Sequence, residues 1–301
     1  MHKKTDAETW MVTGAQGFLG ANAGSFLHNR ANTIGISRSG NATYFHQTQI
    51  HELADSQSLA HDIQTMKPNY LLHTAAVASH QLCEEQPELA QSINADATAT
   101  IARACEIAGT KLIYISTDSV FSGVPTDTRA AGNYSETDNT EPNTVYGATK
   151  LQGEIYAQAE TTPLIIRTNF FGWSPTHTRS ILEFFVNSLS HNQSVHGFTN
   201  ITTTSLYAQT LMDYIWRLKA QNGIFHVVSS NSLTKYEFGL TVAQEFGLDS
   251  GLIKPFASTS AKDISLSTSK LAQFLSTSIE TQAQGIALAK EQQLWLRSIP
   301  T

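Results

Sequence analysis

A parallel α/β sheet with helices on both faces is the fold class this sequence predicts, and three observations predict it. A short apolar strand, Thr9-Trp10-Met11-Val12-Thr13, runs into a glycine-rich turn and then a helix over Ala21 to Asn29. The alternation of strand and helix continues through residues 33–75. A third β-rich run, Lys111 to Phe121, ends on hydroxyl residues. Parallel strands need crossover connections, and alternating helices supply them. The 301 residues suffice for one large α/β domain with a smaller lobe and a full core without staples.

Composition narrows the function classes. Charged residues make up 15% and the formal net charge is −6, so no basic footprint exists for nucleic acid or an anionic membrane. Cys83 and Cys105 are the two cysteines, too few for a disulfide framework, which points to a reducing compartment. No apolar run spans a bilayer, and Met1 to Asp6 is polar without the apolar stretch of a signal peptide. A soluble, cytoplasmic protein is expected. The histidines lack ligand spacing, so no metal centre is expected.

Each element carries its own signal. Gly14-Ala15-Gln16-Gly17-Phe18-Leu19-Gly20 lets the backbone turn tightly and approach a pyrophosphate, whose charge then meets the open N–H groups of the following helix. This is the signature of a Rossmann-type doubly wound sheet. The strand Thr33 to Ser37 ends on Ser37-Arg38-Ser39 where an acid would select NAD; a guanidinium flanked by hydroxyls suits a 2′-phosphate, so NADPH is the expected cofactor, with NADH as the alternative. Ser56 to Met66 reads as a helix stopped by Pro68, and Tyr70 to Thr74 as a buried strand followed by the small residues Ala75 and Ala76. A long helix is expected from Pro87 through Asn94 to Ala108, closed by Gly109.

The run Lys111 to Phe121 brings Ser116 and Thr117 to the carboxyl end of a strand, the edge where open α/β sheets bind ligands. Downstream, Tyr146 and Lys150 are four apart in Thr144-Val145-Tyr146-Gly147-Ala148-Thr149-Lys150, so they share one helix face. Residues 122–141 read as a polar loop suited to a lid. Phe170, Phe171, Trp173 and Phe185 lie close in sequence and either stack on a base or sugar or fill the core of a small lobe. Ile279 to Leu296 reads as a closing amphipathic helix.

The motifs T-G-A-x-G-F-L-G, I-S-T-D-x-V-F, Y-x-E-x-D (Tyr134, Glu136, Asp138), P-x-x-x-Y-G-x-x-K-L-x-G-E (Pro142 to Glu154) and I-R-T (Ile166 to Thr168) together resemble the dTDP-4-dehydrorhamnose reductase family of extended short-chain dehydrogenases/reductases. The resemblance runs over nearly the whole chain. It implies an NAD(P)-binding Rossmann domain over residues 1–168, with the strand and helix near 224–247 as candidates to rejoin it, and a mainly substrate-binding lobe over 169–301. It implies reduction of the 4-keto group of a nucleotide-activated deoxysugar, with Thr117, Tyr146 and Lys150 catalytic. Cofactor contacts are implied at Gly14, Gln16, Gly17, Phe18, Leu19, Gly20, Ser37, Arg38, Ser39, Glu52, Leu53, Ala75, Ala76, Asn94, Ser116 and Arg167. A homodimer is also implied.

The residue types suit that chemistry. A carbonyl reduction needs a hydride donor and a proton for the oxygen; Tyr146 is the expected proton donor, Lys150 the charge that favours its phenolate, and Thr117 a hydrogen-bond donor to the substrate oxygen. No metal is required. Two departures from the family pattern, Asn22 for an acid and Phe170 for a tryptophan, weaken the inference to a metal-linked dimer and to dTDP-4-dehydrorhamnose itself. The alternatives are an epimerase or dehydratase of the same superfamily, and a non-catalytic dinucleotide-binding regulatory subunit. Asp118 followed by Ser119 lacks the acid pair usual in dehydratases.

Overall fold

A computed structural model describes residues 7–127 and 129–298, with side chains of the last helix described to residue 293. Met1 to Asp6 lie outside the described residues. Among those described, no helix is long and apolar enough to cross a membrane.

The chain forms a mostly parallel seven-stranded sheet. Its first six strands in chain order are β1 (Thr9–Thr13), β2 (Asn32–Ser37), β3 (Gln47–Ile50), β4 (Tyr70–His73), β5 (Lys111–Thr117) and β6 (Leu164–Thr168). Across the sheet the order is Gly223–His226, β6, β5, β4, β1, β2, β3. β1 pairs in parallel with both β2 and β4, so the strand that ends in the glycine turn is central and its carboxyl end opens at the point where the order reverses. β2 pairs with β3 and β4 with β5, also in parallel.

Among the helical segments that accompany this sheet are α1 (Phe18–Leu27), α2 (Ser56–Met66), α3 (His80–Glu85), α4 (Pro87–Gln91), α5 (Ala97–Ala108) and α6 (Val145–Glu160). Met11, Ile34, Leu59, Ile63, Leu71, Ile101, Cys105, Leu112 and Ala157 form one buried cluster, joining the strands to α2, α5 and α6. The helix expected without interruption from Pro87 to Ala108 instead contains a π-helical turn at Ser92–Asp96, with Asn94 at its centre. β3 is polar and partly exposed, as an edge strand can be, which is why no hydrophobic pattern announced it.

Contacts divide the chain into two units, each built from separated segments. The first comprises 1–120, 140–167 and 212–225; the second comprises 121–139, 168–211 and 226–301. The strand Gly223–His226 lies at an edge of the seven-stranded sheet, and the helix Lys235–Phe246 belongs to the second unit.

Within the second unit, Phe171, Trp173 and Phe185 are buried in a cluster with Tyr207, Phe238, Val242 and Ile286, so these three fill a core. Phe170 is partly buried and pairs through its backbone with Leu206. The polar loop 122–141 is tied down rather than free. Tyr134 stacks on Phe121 at 4.2 Å, carries Arg129 over its ring at 4.0 Å, and its N–H and C=O engage Ser265 and Ser267. Glu136 accepts a hydrogen bond from the His226 N–H at 3.0 Å.

Candidate active site

The glycine turn closes on itself. Gly14 has φ +69°, and the Gly17 N–H donates to the Gly14 carbonyl at 2.7 Å. A methyl group at Gly20 would lie 2.1 Å from that same carbonyl oxygen, so only hydrogen fits there. α1 starts at Phe18 with no side-chain cap and no acid in its first turn, leaving a helix N-terminus suited to an anion. These features fit the pyrophosphate of a dinucleotide.

Beside it, the loop after β2 is fixed from several sides. Ser37 donates to the Gly40 carbonyl at 3.0 Å, Gln16 to the Asn41 carbonyl at 3.3 Å, and Phe45 fills a hole left by Gly24 and Gly35, where any β-carbon would collide with its ring. Arg38 and Ser39 are exposed on this frame, and among the described residues nothing pairs with the Arg38 guanidinium. Ser37 is committed to its own loop. Glu52 is exposed and Leu53 buried at the start of α2.

A buried polar relay ties the turn to the sheet and to the π-turn. Thr13 Oγ1 and Thr98 Oγ1 lie 2.7 and 3.2 Å from the two ring nitrogens of His73, and Thr98 donates to the Asn94 carbonyl at 2.9 Å. Asn94 then holds Val77, accepting from its N–H at 2.8 Å and donating to its carbonyl at 3.1 Å, and donates at 3.1 Å to Thr149 on α6. The π-turn thus aims one buried amide at the stretch that follows Ala75 and Ala76. Asn94 acts on the backbone of this region.

The three residues expected to be catalytic come together. α6 is capped by the Thr144 hydroxyl, and Glu84 of α3 accepts from the Val145 N–H at 2.9 Å. Gly147 and Gly153 let α6 press on its neighbours: β-carbons there would lie 2.1 Å from the Ser119 carbonyl oxygen and 2.3 Å from the Tyr114 hydroxyl. Tyr146 thereby comes beside Thr117, whose hydroxyl favours the phenolate. Thr117 also donates to Asp118 at 3.0 Å and accepts from the Ser119 N–H at 3.1 Å. His80 of α3 tilts over the Tyr146 ring at 4.8 Å. Lys150, one turn along, is buried with its ammonium 4.0 Å from the centre of the Tyr114 ring.

The electrostatics fit a proton donor. Burial first, and the Asp118 carboxylate second, push the Tyr146 phenol well above its ordinary range, while the Thr117 hydrogen bond acts in the opposite direction. Burial brings the Lys150 ammonium down to about 7, with the Glu154 carboxylate opposing that shift. At neutral pH the phenol is protonated.

Ser116 and Arg167 stand differently from the expectation that they face a cofactor. Both are buried and turned to Glu154: Ser116 donates to its carboxylate, and Arg167 donates through Nε at 3.0 Å and through a terminal nitrogen at 2.7 Å. Asn22 bonds back to the Phe18 carbonyl at 2.9 Å within α1. Sequence reasoning gave no role to Glu154, Asp118, His73 or His80. The spacing of Glu154, four residues after Lys150, was the available signal for the first of them.

A parallel doubly wound sheet with a glycine turn after its first strand, and a threonine, tyrosine and lysine grouped at the end of β5, defines a Rossmann-type protein of the short-chain dehydrogenase/reductase class. Within that class, the chain belongs to the RmlD substrate binding domain family, whose model matches residues 8–293. The β subunit of methionine adenosyltransferase 2 from Pongo abelii is 27% identical over 263 residues, covering 81% of this chain and 74% of that protein. A probable low-salt glycan biosynthesis reductase of Haloferax volcanii is 28% identical over 251 residues, covering 81% and 82%. The crystal structure of dTDP-4-dehydrorhamnose reductase from Bacillus anthracis in complex with NADP has a TM-score of 0.78 at 20% identity, over 95% of this chain and 99% of that one.

Proposed function

We propose that the protein is an NADPH-dependent reductase of the 4-keto group of a nucleotide-activated deoxysugar, with NADH as the alternative cofactor. The observation that carries this is the Tyr146 phenol beside the Thr117 hydroxyl, with Lys150 on the same face of α6. Family membership and likeness to a reductase support it.

Gly14, Gly17, Gly20 and the start of α1 would hold the pyrophosphate, and Arg38 with Ser39 the 2′-phosphate. Reduced nicotinamide, when bound, supplies the hydride. Tyr146 holds the proton for the substrate oxygen, and its raised affinity for that proton keeps it in the acid form at neutral pH. The Lys150 ammonium favours the phenolate left behind, which lowers the cost of proton release. Thr117 would offer its hydroxyl proton to the same oxygen by turning it away from Asp118, which it engages here. Asp118 faces the phenol as an anion and opposes its ionisation.

NADPH consumption with a panel of 4-keto nucleotide sugars tests this reading. Oxidation of NADPH with at least one member is expected, and Tyr146→Phe should abolish it while cofactor binding stays nearly intact. No consumption across the panel refutes the substrate class.

A second reading is favoured by the methionine adenosyltransferase relative, which is by its name the beta subunit of an enzyme. In that case the chain binds a dinucleotide and one stoichiometric enzyme partner and turns over nothing alone. Cofactor binding without turnover, together with a complex of defined stoichiometry, would favour it. An epimerase or dehydratase would instead give a redox-neutral product with retained cofactor.

A further inference from the structure

Glu154 is the charged residue nearest the proposed chemistry that the chemistry leaves without a role. It follows Lys150 by one helical turn, so Tyr146, Lys150 and Glu154 occupy successive turns of one face of α6. Glu154 is 1% exposed and Lys150 3%. A buried carboxylate is costly unless it is paired and hydrogen-bonded, and Glu154 is both, through Arg167 and Ser116. Lys150 has no such partner. Among the described residues its ammonium makes no ion pair and rests on the face of Tyr114.

We propose that Glu154 is a positioning residue that sets the protonation of Lys150 through space, and that Arg167 is the counter-charge limiting how much of the carboxylate's field reaches the ammonium. This rests on the reading of Lys150 as the charge that supports Tyr146.

The groups facing Lys150 leave Glu154 as the fixed charge acting on it, and Arg167 as that carboxylate's own partner. From β4, His73 is held neutral, brought down to about 3 by burial first and by Lys150 second. From β5, Tyr114 is pushed well above its ordinary range by burial and then by Glu154, so it too stays neutral. On α6, Tyr146 is protonated, and Asp118 after β5 faces Tyr146. Arg167 on β6 pairs with Glu154. Burial brings Lys150 down to about 7, and Glu154 is the charge that resists it. Removing that carboxylate lets burial act unopposed, so the ammonium is lost at a lower pH. Removing Arg167 frees the carboxylate and shifts the loss to a higher pH.

The test is a direct titration of Lys150 in protein labelled with 13C at the lysine ε-carbon, its signal assigned by Lys150→Met. Neither substrate nor cofactor is needed. Glu154→Gln is expected to lower the midpoint by about one pH unit, and Arg167→Met to raise it. Each single change removes one member of the buried Glu154–Arg167 pair and can cost the fold. The double variant Glu154→Gln/Arg167→Met removes both members together, and its midpoint is expected below that of the native protein but above that of Glu154→Gln. A midpoint unmoved or raised in the double variant overturns the proposal, as does a shift in one direction by both single variants. If the midpoints move as stated but no 4-keto sugar is consumed, the proposed function fails and this inference stands.

Discussion

Substituting Gly147 by alanine isolates the close approach that brings Tyr146 to Thr117. On an exposed helix the change would add about 1 kcal/mol of stability, since alanine is the better helix former. Here the new methyl would lie 2.1 Å from the Ser119 carbonyl oxygen, about 1.3 Å inside the nearest ordinary contact of 3.4 Å. Its first three obstacles include two backbone atoms of Ser119 and the ring of Pro142, at 3.1 Å. A backbone carbonyl cannot swing aside as a flexible side chain can. Relief must come from α6 moving off the end of β5, which separates the Tyr146 phenol from the Thr117 hydroxyl. Overpacking of this kind costs about 1–3 kcal/mol, so the propensity gain is outweighed. A displacement on the order of 1 Å at a reacting group costs about 100-fold in rate. Urea denaturation and NADPH-dependent turnover, measured side by side on Gly147→Ala, check both numbers. A variant at least as stable as the native protein refutes the packing reasoning; one that is destabilised yet turns over at the native rate refutes the positional reasoning.

Two further predictions concern groups outside the Tyr146 pair. His73 is neutral when folded, with its affinity for a proton brought down to about 3, whereas the unfolded imidazole takes a proton near 6.5. The unfolded state therefore binds more protons between those values, and stability falls as pH drops through that window, by up to about 5 kcal/mol. His73→Asn should flatten that part of the profile of urea midpoint against pH; an unchanged slope would show that His73 is not its source. Arg38→Ala should weaken NADPH binding about tenfold or more while sparing NADH, read by cofactor fluorescence titration, because one charge-assisted phosphate contact is lost. Equal loss for both cofactors would remove Arg38 from the 2′-phosphate.

What the sequence disclosed and what it hid follow a physical line. The turn from Gly14 to Gly20 and the pair Tyr146–Lys150 were legible because each is local: one needs consecutive backbone torsions, the other one turn of helix. Ser116, Glu154 and Arg167 meet across 38 and 13 residues from three separate elements, and no spacing rule announces such a meeting. In their shared burial Arg167 pairs with the Glu154 carboxylate and Ser116 donates to it. The aromatic run at Phe171, Trp173 and Phe185 carried equal signals for a core and a stacking surface, and packing decided for the core. The polar stretch after Phe121 read as a loop because its partners, Ser265 and Ser267, engage backbone atoms whose chemistry is the same in every residue. The π-turn at Asn94 adds one residue to a helical turn, a change invisible to a periodicity of 3.6.

The sheet's edge strand, Gly223–His226, has a consequence for how the chain is made. β6 leaves the ribosome about 55 residues earlier, at a translation rate on the order of 10 residues per second. Until that segment is made the sheet can hold at most six strands, and the edge of β6 has no native partner for its row of amide and carbonyl groups. Native topology caps that row only with a segment separated from it by an excursion through the second unit. Folding of the sheet is therefore hostage to the synthesis of a different part of the molecule, and the interval is one in which holdase chaperones or a neighbouring nascent chain compete for the same edge.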